Sequence, residues 1–429
     1  MIQDTLLSHE IQNVSPTTPT TRESVMHKFR VVSATAAAAS LLLLTACSSS
    51  KTDSSGTPAT SSGGSNAPIK LLVISQLQAA AFAFPEIADG AKAAAASINA
   101  AGGVNGHQIQ VDACNDQGDP NVASTCGRTA VQGGYAAVIN PTTLYAASFM
   151  PLLEAGKVPA LSAPLTGPDF TSPVSFPIAG GNPLDYGGVG FIAAKNGCMT
   201  GGVIRDTKAA VDQSTAAIVK GFAAGGGTPV STVVKAAGDS ADFSAPVSQI
   251  VSSNVKCLLL AEPPAALAKI VGAVRQSAKA TMPIYTLGAA FPQILVKSLG
   301  KAADGVMLAD SVAIPSQSTT PTFWADMTKY APNAEKSGQA LLAWAAVQTV
   351  KQVAASANAY DHASLLAALS NASNITVEGL AQSLNFSTPN PNKDVARIFA
   401  TSDFGYVVKD GQYSPLFDGK PLDVSAVLK

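Results

Sequence analysis

The segment Ile98-Asn99-Ala100-Ala101-Gly102-Gly103-Val104-Asn105-Gly106 ends an Ala-rich run and begins a tight turn. Glycines directly after such a run stop a helix, because Gly adopts positive φ without a steric penalty. After a short apolar strand candidate comes Asn115-Asp116-Gln117-Gly118-Asp119-Pro120, which sets a proline at the start of the next Ala-containing run. Proline is favoured at the first position of a helix. The two motifs therefore predict a helix, a turn, a strand and a second helix in close succession.

Strand candidates alternate with helical runs along most of the chain outward from these motifs. The first series has predicted strands at 69–75, 107–112, 136–139 and 158–161, and helices at 87–101, 120–132 and 146–155. The second series has strands at 201–204, 230–234, 257–261 and 284–287, and helices at 211–224, 245–252 and 267–277. Helices at 344–357 and 364–368 follow, and then a hairpin at 404–416 with Asp410-Gly411 as a type I′ turn. This alternation predicts an α/β protein with two doubly wound parallel-sheet lobes.

Composition excludes several classes of function. Of the 429 residues 47% are hydrophobic and 13% are charged, and the net charge of −1 leaves no basic stripe for nucleic acid. The four histidines lie far apart and no His or Cys pairs have metal-ligand spacing, so we expect no metal and no cofactor. The chain has neither a G-x-S-x-G elbow nor a phosphate-binding loop. Residues 188–193 imitate a dinucleotide fingerprint, but no clear strand precedes them, which favours a Gly-rich hinge or a helix start. We therefore predict no catalytic residues.

The N-terminus has the order of an export signal. A basic stretch at 26–30 precedes an apolar run at 31–44 and then Thr45-Ala46-Cys47. About 14 apolar residues are too few to span a bilayer as a helix. Leu44-Thr45-Ala46-Cys47 resembles the bacterial lipobox, in which the cysteine thiol receives lipid. We interpret 1–25 as a mis-assigned extension, 26–46 as the signal peptide, and 47–68 as the lipidated Cys47 with a polar, flexible tether.

The two motifs resemble those of the type I periplasmic binding proteins, and most closely the Leu/Ile/Val-binding branch. Further similar segments follow in family order: Pro141-Thr142-Thr143, residues 152–159, residues 161–164, Leu384-Asn385-Phe386 and residues 408–411. The resemblance covers about 69–416, although the middle of the chain is similar only in outline. It implies two lobes joined by a three-segment hinge. Lobe 1 would comprise 69–182 and 315–400, and lobe 2 would comprise 183–314 and 401–429.

The resemblance also implies a function and a set of partners. The protein would be a monomeric, non-enzymatic receptor, lipid-anchored to the outer face of the cell membrane. It would capture a small molecule, an amino acid or a related organic solute, in the cleft between the lobes. An ABC transporter permease would then receive the solute. A ligand-binding sensor without an importer and, less favoured, an exported hydrolase remain alternatives.

Site candidates are the residues that follow the carboxyl ends of the strands, where open parallel sheets bind ligands. In lobe 1 these are Gln78, Phe82, Thr142, Thr143, Tyr145, Ser162 and Thr166. By resemblance to amino-acid-binding relatives, the hydroxyls of Thr143 and Thr166 would hold a substrate carboxylate; solvated loop threonines are the alternative. In lobe 2 the candidates are Arg205, Asp206, Glu262 and Phe291. The relatives' ammonium-binding acid has no counterpart within Gly288-Ala289-Ala290-Phe291. Glu262 is a candidate replacement, but Pro263-Pro264 beside it indicates a rigid turn instead. The missing acid makes another small polar or apolar organic solute as good a candidate ligand as an α-amino acid.

Five cysteines leave four once Cys47 is lipidated. Exported proteins pair their cysteines, and four allow three pairings. The strand order 2-1-3-4-5 of the fold class brings the start of the first and third strands of lobe 2 together, which predicts a Cys198–Cys257 disulfide. Cys114 and Cys126, separated by one short connection in lobe 1, would form the other. Buried free thiols are the alternative.

Overall fold

The structure, a computed structural model, describes residues 66–79, 83–140, 142–357 and 359–429. The predicted extension, signal peptide and Cys47, together with most of the tether, lie outside the described residues, and so does Phe82. Within the described part of the chain, no helix combines the length and the apolar character that crossing a membrane requires.

Lobe 1 begins with four parallel strands in the order β2-β1-β3-β4, connected by helices. Its first elements are β1 (Ile69–Ser75), α1 (Glu86–Ala100), β2 (Ile109–Asn115), α2 (Pro120–Gln132), β3 (Ala137–Asn140), α3 (Ala146–Gly156), β4 (Ala160–Ser162) and α4 (Gly167–Thr171). Side chains of β1 alternate between the two faces, as the two-residue period of a strand requires. Leu71 and Val73 pack into the core on one face, and Leu72 and Ile74 pack into the core on the other.

Lobe 2 contains a larger mixed sheet with the order β11-β10-β9-β8-β7-β5-β6. The chain enters it through α5 (Gly181–Lys195), β5 (Gly201–Asp206), α6 (Asp212–Ala224), β6 (Thr232–Ala236), α7 (Ser244–Ser252), β7 (Cys257–Ala261), α8 (Pro264–Arg275), β8 (Ile284–Leu287), α9 (Gln293–Leu299) and β9 (Val306–Asp310). The five parallel strands therefore have the predicted 2-1-3-4-5 order. Val203 and Leu259 pack on the side of α5 and α6, whereas Ile204 and Leu260 pack on the side of α7 and α8.

The chain crosses between the lobes three times. After β9 it returns to lobe 1 and forms α10 (Pro321–Tyr330), α11 (Gly338–Ala354) and α12 (His362–Ser370). It then completes the lobe 2 sheet with the antiparallel strands β10 (Ser402–Lys409) and β11 (Gln412–Pro415), and β12 (Leu422–Asp423) pairs with β10. Asp410 and Gly411 have φ values of 51° and 73°, as the predicted type I′ turn requires. The predicted fold class, two doubly wound lobes joined by a three-segment hinge, is confirmed.

Residues 188–193 lie in the middle of α5, so the expected hinge or helix start is corrected to a helix interior. Their glycines allow α5 to approach its neighbours closely. A Cβ on Gly190 would lie 2.1 Å from the carbonyl oxygen of Ile218 in α6. A Cβ on Gly188 would lie 1.6 Å from a carboxylate oxygen of Asp403 in β10. The glycine spacing resembles that of a dinucleotide-binding motif because both situations require residues without a side chain. In α5 the reason is close packing against neighbouring elements, and in a dinucleotide-binding motif it is the close approach of the cofactor.

Both predicted disulfides are present. Cys114 in β2 is bonded to Cys126 in α2, with Cα atoms 5.8 Å apart. Cys198 is bonded to Cys257 with Cα atoms 6.1 Å apart, and Cys257 is paired in register with Gly201 at the start of β5. Each bond lies within one lobe, so neither restricts the movement of one lobe relative to the other.

Candidate ligand-binding site

The carboxyl edges of the two sheets lead into the crossings. After β4, the carbonyl oxygen of Pro164 accepts a hydrogen bond from the N–H of Asn182 at the start of α5, at 3.3 Å. After β9, Ser311 accepts one on its Oγ from the N–H of Gly180, at 2.8 Å, and Val312 forms a bridge with Leu380. Both edges therefore face the interlobe region, and ligands of open parallel sheets bind at such edges.

Thr143, the first predicted hydroxyl, is nearly fully buried and is engaged inside the protein. Its Oγ1 donates to Oδ2 of Asp116 at 2.5 Å and accepts from the N–H of Tyr145 at 3.2 Å. Asp116 is itself fully buried, and its Oδ1 accepts from the N–H of Gly118 at 2.9 Å. The hydroxyl proton of Thr143 is therefore committed to Asp116 and is not available to a ligand carboxylate. Asp116 also begins the turn before α2, where its carbonyl accepts from the N–H of Asp119 at 2.9 Å.

Thr166, the second predicted hydroxyl, is engaged by Asp169 in α4. Oδ2 of Asp169 accepts from the N–H of Leu165 at 3.2 Å, from the N–H of Thr166 at 3.0 Å and from the hydroxyl of Thr166 at 3.1 Å. The side chain of Asp169 is 1% exposed, and burial raises its pKa to about 6 in spite of these donors. An internal carboxylate therefore occupies this donor set.

Two buried polar groups beside these loops have no hydrogen-bond partner. Ser162 ends β4 and Asn140 ends β3, and the two residues are paired in register. The hydroxyl of Ser162 and Oδ1 of Asn140 are both buried and unpartnered. Since an unpaired buried polar group costs about 1–3 kcal/mol, such a pair at a sheet edge marks a place where a ligand can gain hydrogen bonds.

The other lobe 1 candidates lie around this edge. Gln78 is exposed, and its backbone is held by Asn115, whose Oδ1 accepts from the N–H at 3.1 Å and whose Nδ2 donates to the carbonyl at 2.9 Å. Thr142 is half-buried and its hydroxyl donates to the side chain of Gln339 in α11. Tyr145 is half-buried and precedes α3.

Arg205 and Asp206 end β5 in lobe 2, and the turn that follows holds both. Arg205 is 1% exposed, forms an ion pair with Asp212 at 2.7 Å, and donates from Nη2 to the carbonyl of Lys208 at 2.9 Å. Asp206 is 3% exposed, accepts from the N–H of Lys208 at 3.1 Å and has the Lys208 ammonium at 3.7 Å. The guanidinium is thus balanced by a carboxylate of its own loop.

Glu262 follows β7 and precedes Pro264, the first residue of α8. It is 3% exposed, and neither carboxylate oxygen has a hydrogen-bond partner. Burial, reinforced by the charge of Asp206, raises the pKa of Glu262 to about 8. Burial followed by the charge of Glu262 also raises the pKa of Tyr186 in α5 to about 12. Glu262 is therefore an acidic group at the lobe 2 edge with open acceptor capacity.

Phe291 lies between β8 and α9 and is completely buried in the lobe 2 core. Its carbonyl accepts a hydrogen bond from the hydroxyl of Tyr413 at 2.7 Å. The side chain packs inside the lobe and offers no surface to a solute in this arrangement.

Three carboxyls at the hinge were not predicted from the sequence as site residues. Asp185 lies near the start of α5, Asp310 ends β9 and Asp403 is in β10, so one acid stands beside each crossing on the lobe 2 side. Asp403 is fully buried without a partner for either oxygen, and Oδ1 of Asp185 is likewise buried and unpartnered. Burial, and then the charge of the neighbouring acids, raises the pKa of Asp185 and of Asp403 far above the usual range. Burial raises the pKa of Asp310 to about 7.

Two surface depressions lie away from both sheet edges. One of about 300 Å³ lies between α3 and α4, beside Glu154 and Ser172, and one of about 210 Å³ lies between α1 and α11, beside Trp344 and Glu378. Neither is lined by a predicted site residue. Across the described ranges, no cluster of three His, Cys, Asp or Glu side chains is placed to hold a metal ion.

Comparison with known proteins shows the family to which the chain belongs. The sequence model of the periplasmic binding proteins matches residues 68–398, which is well over half of the chain. The chain belongs to the periplasmic binding protein family. It has the type I fold, as the resemblance predicted, and the family is one of solute-binding proteins. No curated protein matches the sequence.

Solved structures of this family have the same fold. The branched-chain amino acid transporter substrate-binding protein LivJ of Streptococcus pneumoniae, in complex with isoleucine, superimposes with a TM-score of 0.67 at 18% identity over 83% of this chain and 99% of that one. A putative branched-chain amino acid ABC transporter from Rhodospirillum rubrum gives 0.65 at 20% identity over 81% and 100%. An extracellular ligand-binding receptor from Verminephrobacter eiseniae gives 0.68 at 20% identity over 81% and 99%. At these identities the similarity establishes the fold alone.

Proposed function

We propose that this protein is an extracytoplasmic solute receptor that binds a small organic molecule between its lobes and delivers it to an ABC importer. The proposal rests on the carboxyl edges of the two sheets in this periplasmic binding protein. Both edges are directed at the interlobe region, and both hold buried polar groups without hydrogen-bond partners. Ser162 and Asn140 supply such groups in lobe 1, and Glu262 supplies one in lobe 2. The protein acts as a monomer without a cofactor and catalyses no reaction.

Capture involves movement about the three crossings. Each sheet edge presents only part of a binding site, so a solute gains its full set of contacts when the lobes close around it. Closure follows from the additional contacts in the closed state, because a ligand shifts a conformational equilibrium only by its differential affinity.

Attachment to the membrane is assigned to Cys47, which lies outside the described residues. Two or more acyl chains give stable anchoring, whereas the polar tether after Cys47 offers no apolar anchor of its own. The Cys47→Ser variant, expressed with its own leader, should move from the membrane fraction to the soluble fraction. Membrane retention equal to that of the unaltered protein would reject the lipid anchor.

A thermal-shift screen of small metabolites tests the receptor function. A solute that binds only the folded protein raises the melting temperature with concentration, by mass action. The same library is assayed for hydrolysis, which separates a receptor from an exported hydrolase. Stabilisation by a solute that is recovered unchanged supports the receptor; turnover of the stabilising compound, or no stabilisation by any compound, contradicts it.

A further inference from the structure

The carboxylate-binding groups expected in lobe 1 are occupied by the protein itself. The hydroxyl proton of Thr143 is donated to Asp116, and the N–H of Tyr145 is donated to Thr143. The N–H and hydroxyl of Thr166 converge on Asp169, together with the N–H of Leu165. Since Asp169 is an anion at the position of these donors, a second carboxylate there would meet both filled donors and a like charge.

Lobe 2 differs, because its acidic candidate Glu262 receives no hydrogen bond from the described residues. Both oxygens of Glu262 are buried without a partner, while the nearby Asp206 adds negative charge. Two cations lie near, and each has an ion-pair partner: Arg205 pairs with Asp212 at 2.7 Å and Lys208 with Asp206 at 3.7 Å. The buried Nε of Arg205 makes no hydrogen bond. Tyr186 in α5 is close enough for the charge of Glu262 to contribute to its raised pKa, after burial. A buried carboxylate is stabilised by hydrogen-bond donors, and otherwise the group takes up a proton and becomes neutral. No group in the described part of the chain donates a hydrogen bond to Glu262.

We propose that the solute is an organic amine that carries a positive charge and no carboxylate, and that its ammonium binds Glu262. This inference rests on the proposed receptor function and specifies its ligand class. The ammonium supplies up to three N–H donors to an acid that has none. Ser162 and Asn140, across the interlobe region, remain open to the other polar groups of the solute. A free α-amino acid is disfavoured, because its carboxylate finds the Thr143 and Thr166 donors occupied and is left with the open hydroxyl of Ser162 in their place.

Titration calorimetry with compounds of matched carbon skeleton tests the ligand class. The amine probes are isoamylamine, putrescine and benzylamine. Their carboxylate counterparts are isocaproate, adipate and phenylacetate, and leucine carries both groups on the isoamylamine skeleton. We expect at least one amine to bind, its carboxylate counterpart not to bind, and leucine to bind more weakly than isoamylamine.

Variants test the assigned residue. Glu262→Gln keeps the shape and removes the charge, and it should weaken binding of the amine about 30-fold or more, the effect of removing one partner of a buried charge pair. Asp410→Asn, in the exposed hairpin turn where Asn is tolerated, makes the same acid-to-amide change far from the site and should leave the affinity unchanged. Burial, with the charge of Asp206, holds the pKa of Glu262 near 8, so a primary amine displaces a proton at neutral pH. Proton release, measured in buffers of different ionisation enthalpy, should disappear in Glu262→Gln.

The outcomes separate this inference from the receptor function. Binding of carboxylates without amines, or tighter binding of leucine than of isoamylamine, would overturn the amine assignment and leave the receptor intact. Unchanged amine affinity in a folded Glu262→Gln variant would also overturn it. If none of the compounds bound, the amine assignment would be rejected, and the broader metabolite screen would decide the receptor function by itself.

Discussion

Replacing Asp310 with Asn should remove much of the pH dependence of stability that the hinge acids impose. Asp310 ends β9 beside the second crossing, and burial raises its pKa from the ordinary 3.8 to about 7. A carboxyl with a raised pKa in the folded state binds its proton more tightly there than in the unfolded chain. It therefore contributes stability at acidic pH, and this contribution is lost as the pH rises through the folded pKa.

The size of the effect follows from the shift. Between pH 5 and pH 8 the contribution of Asp310 falls by about 2.5 kcal/mol, because 1.36 kcal/mol is lost per pH unit over about two units before the folded pKa is reached. Asn keeps an oxygen that can accept from the N–H of Val312, now at 3.1 Å from Oδ1. Removal of the Asp310 charge also lowers the pKa of Asp185 and of Asp403, which that charge helps to raise. The free energy of unfolding should therefore fall less between pH 5 and pH 8 in the variant than in the unaltered protein, and the difference between the two falls should be about 2.5 kcal/mol.

Urea unfolding at pH 5, 6, 7 and 8, with the disulfides intact, measures the difference. The informative quantity is the change in the free energy of unfolding with pH, because any constant cost of the new amide cancels. Asp410→Asn, which removes an exposed carboxylate, is the control and should follow the unaltered protein. Parallel stability curves for Asp310→Asn and the unaltered protein would refute the assignment of a buried, protonatable acid to the hinge.

Two further predictions concern packing and cross-links. Gly190→Ala should destabilise the protein by about 1–3 kcal/mol, because its Cβ would lie 2.1 Å from the carbonyl oxygen of Ile218. The control Gly272→Ala, in α8 with open space around it, should stabilise the protein by about 0.5–1 kcal/mol. Equal melting temperatures for the two variants would contradict the close packing of α5 on α6. The double variant Cys198→Ala/Cys257→Ala should lose about 2–4 kcal/mol of its free energy of unfolding in urea, because the unfolded chain gains conformational freedom, and it should still bind solute. A variant that lost binding but kept its stability would show that the disulfide supports the binding site instead.

Much of the architecture was predictable because local patterns and the fold agree. The bounds of α2, β7 and β8 coincide with those predicted from Pro120 and from the short apolar runs. The Cys198–Cys257 disulfide followed from the strand order, which brings the starts of β5 and β7 side by side, and the Cys114–Cys126 disulfide followed from the short connection between the two residues. The interior of α5 was not predicted as helix, since glycine disfavours a helix locally and only its packing against α6 compensates for this.

The positions of the candidate side chains at the strand ends were predictable from the sequence, but their contacts were not. Position after a strand end placed Ser162 and Glu262 at the carboxyl edges, where their buried oxygens lack partners. The sequence does not reveal that Asp116 and Asp169 engage the two threonines, because these contacts depend on loop conformations with no local signature. The sequence gives only a weak indication of the hinge acids. Asp310 and Asp403 are each a single aspartate at or near one end of a largely apolar strand.

Ligand-induced closure is the central claim, and small-angle X-ray scattering tests it directly. The radius of gyration is measured without solute and at saturation with the compound that gives the largest thermal shift, using the soluble Cys47→Ser form. Movement of the two lobes about three crossings predicts a smaller radius of gyration with the solute bound. A solute that saturates the protein and leaves the radius of gyration unchanged would contradict capture by closure between the lobes.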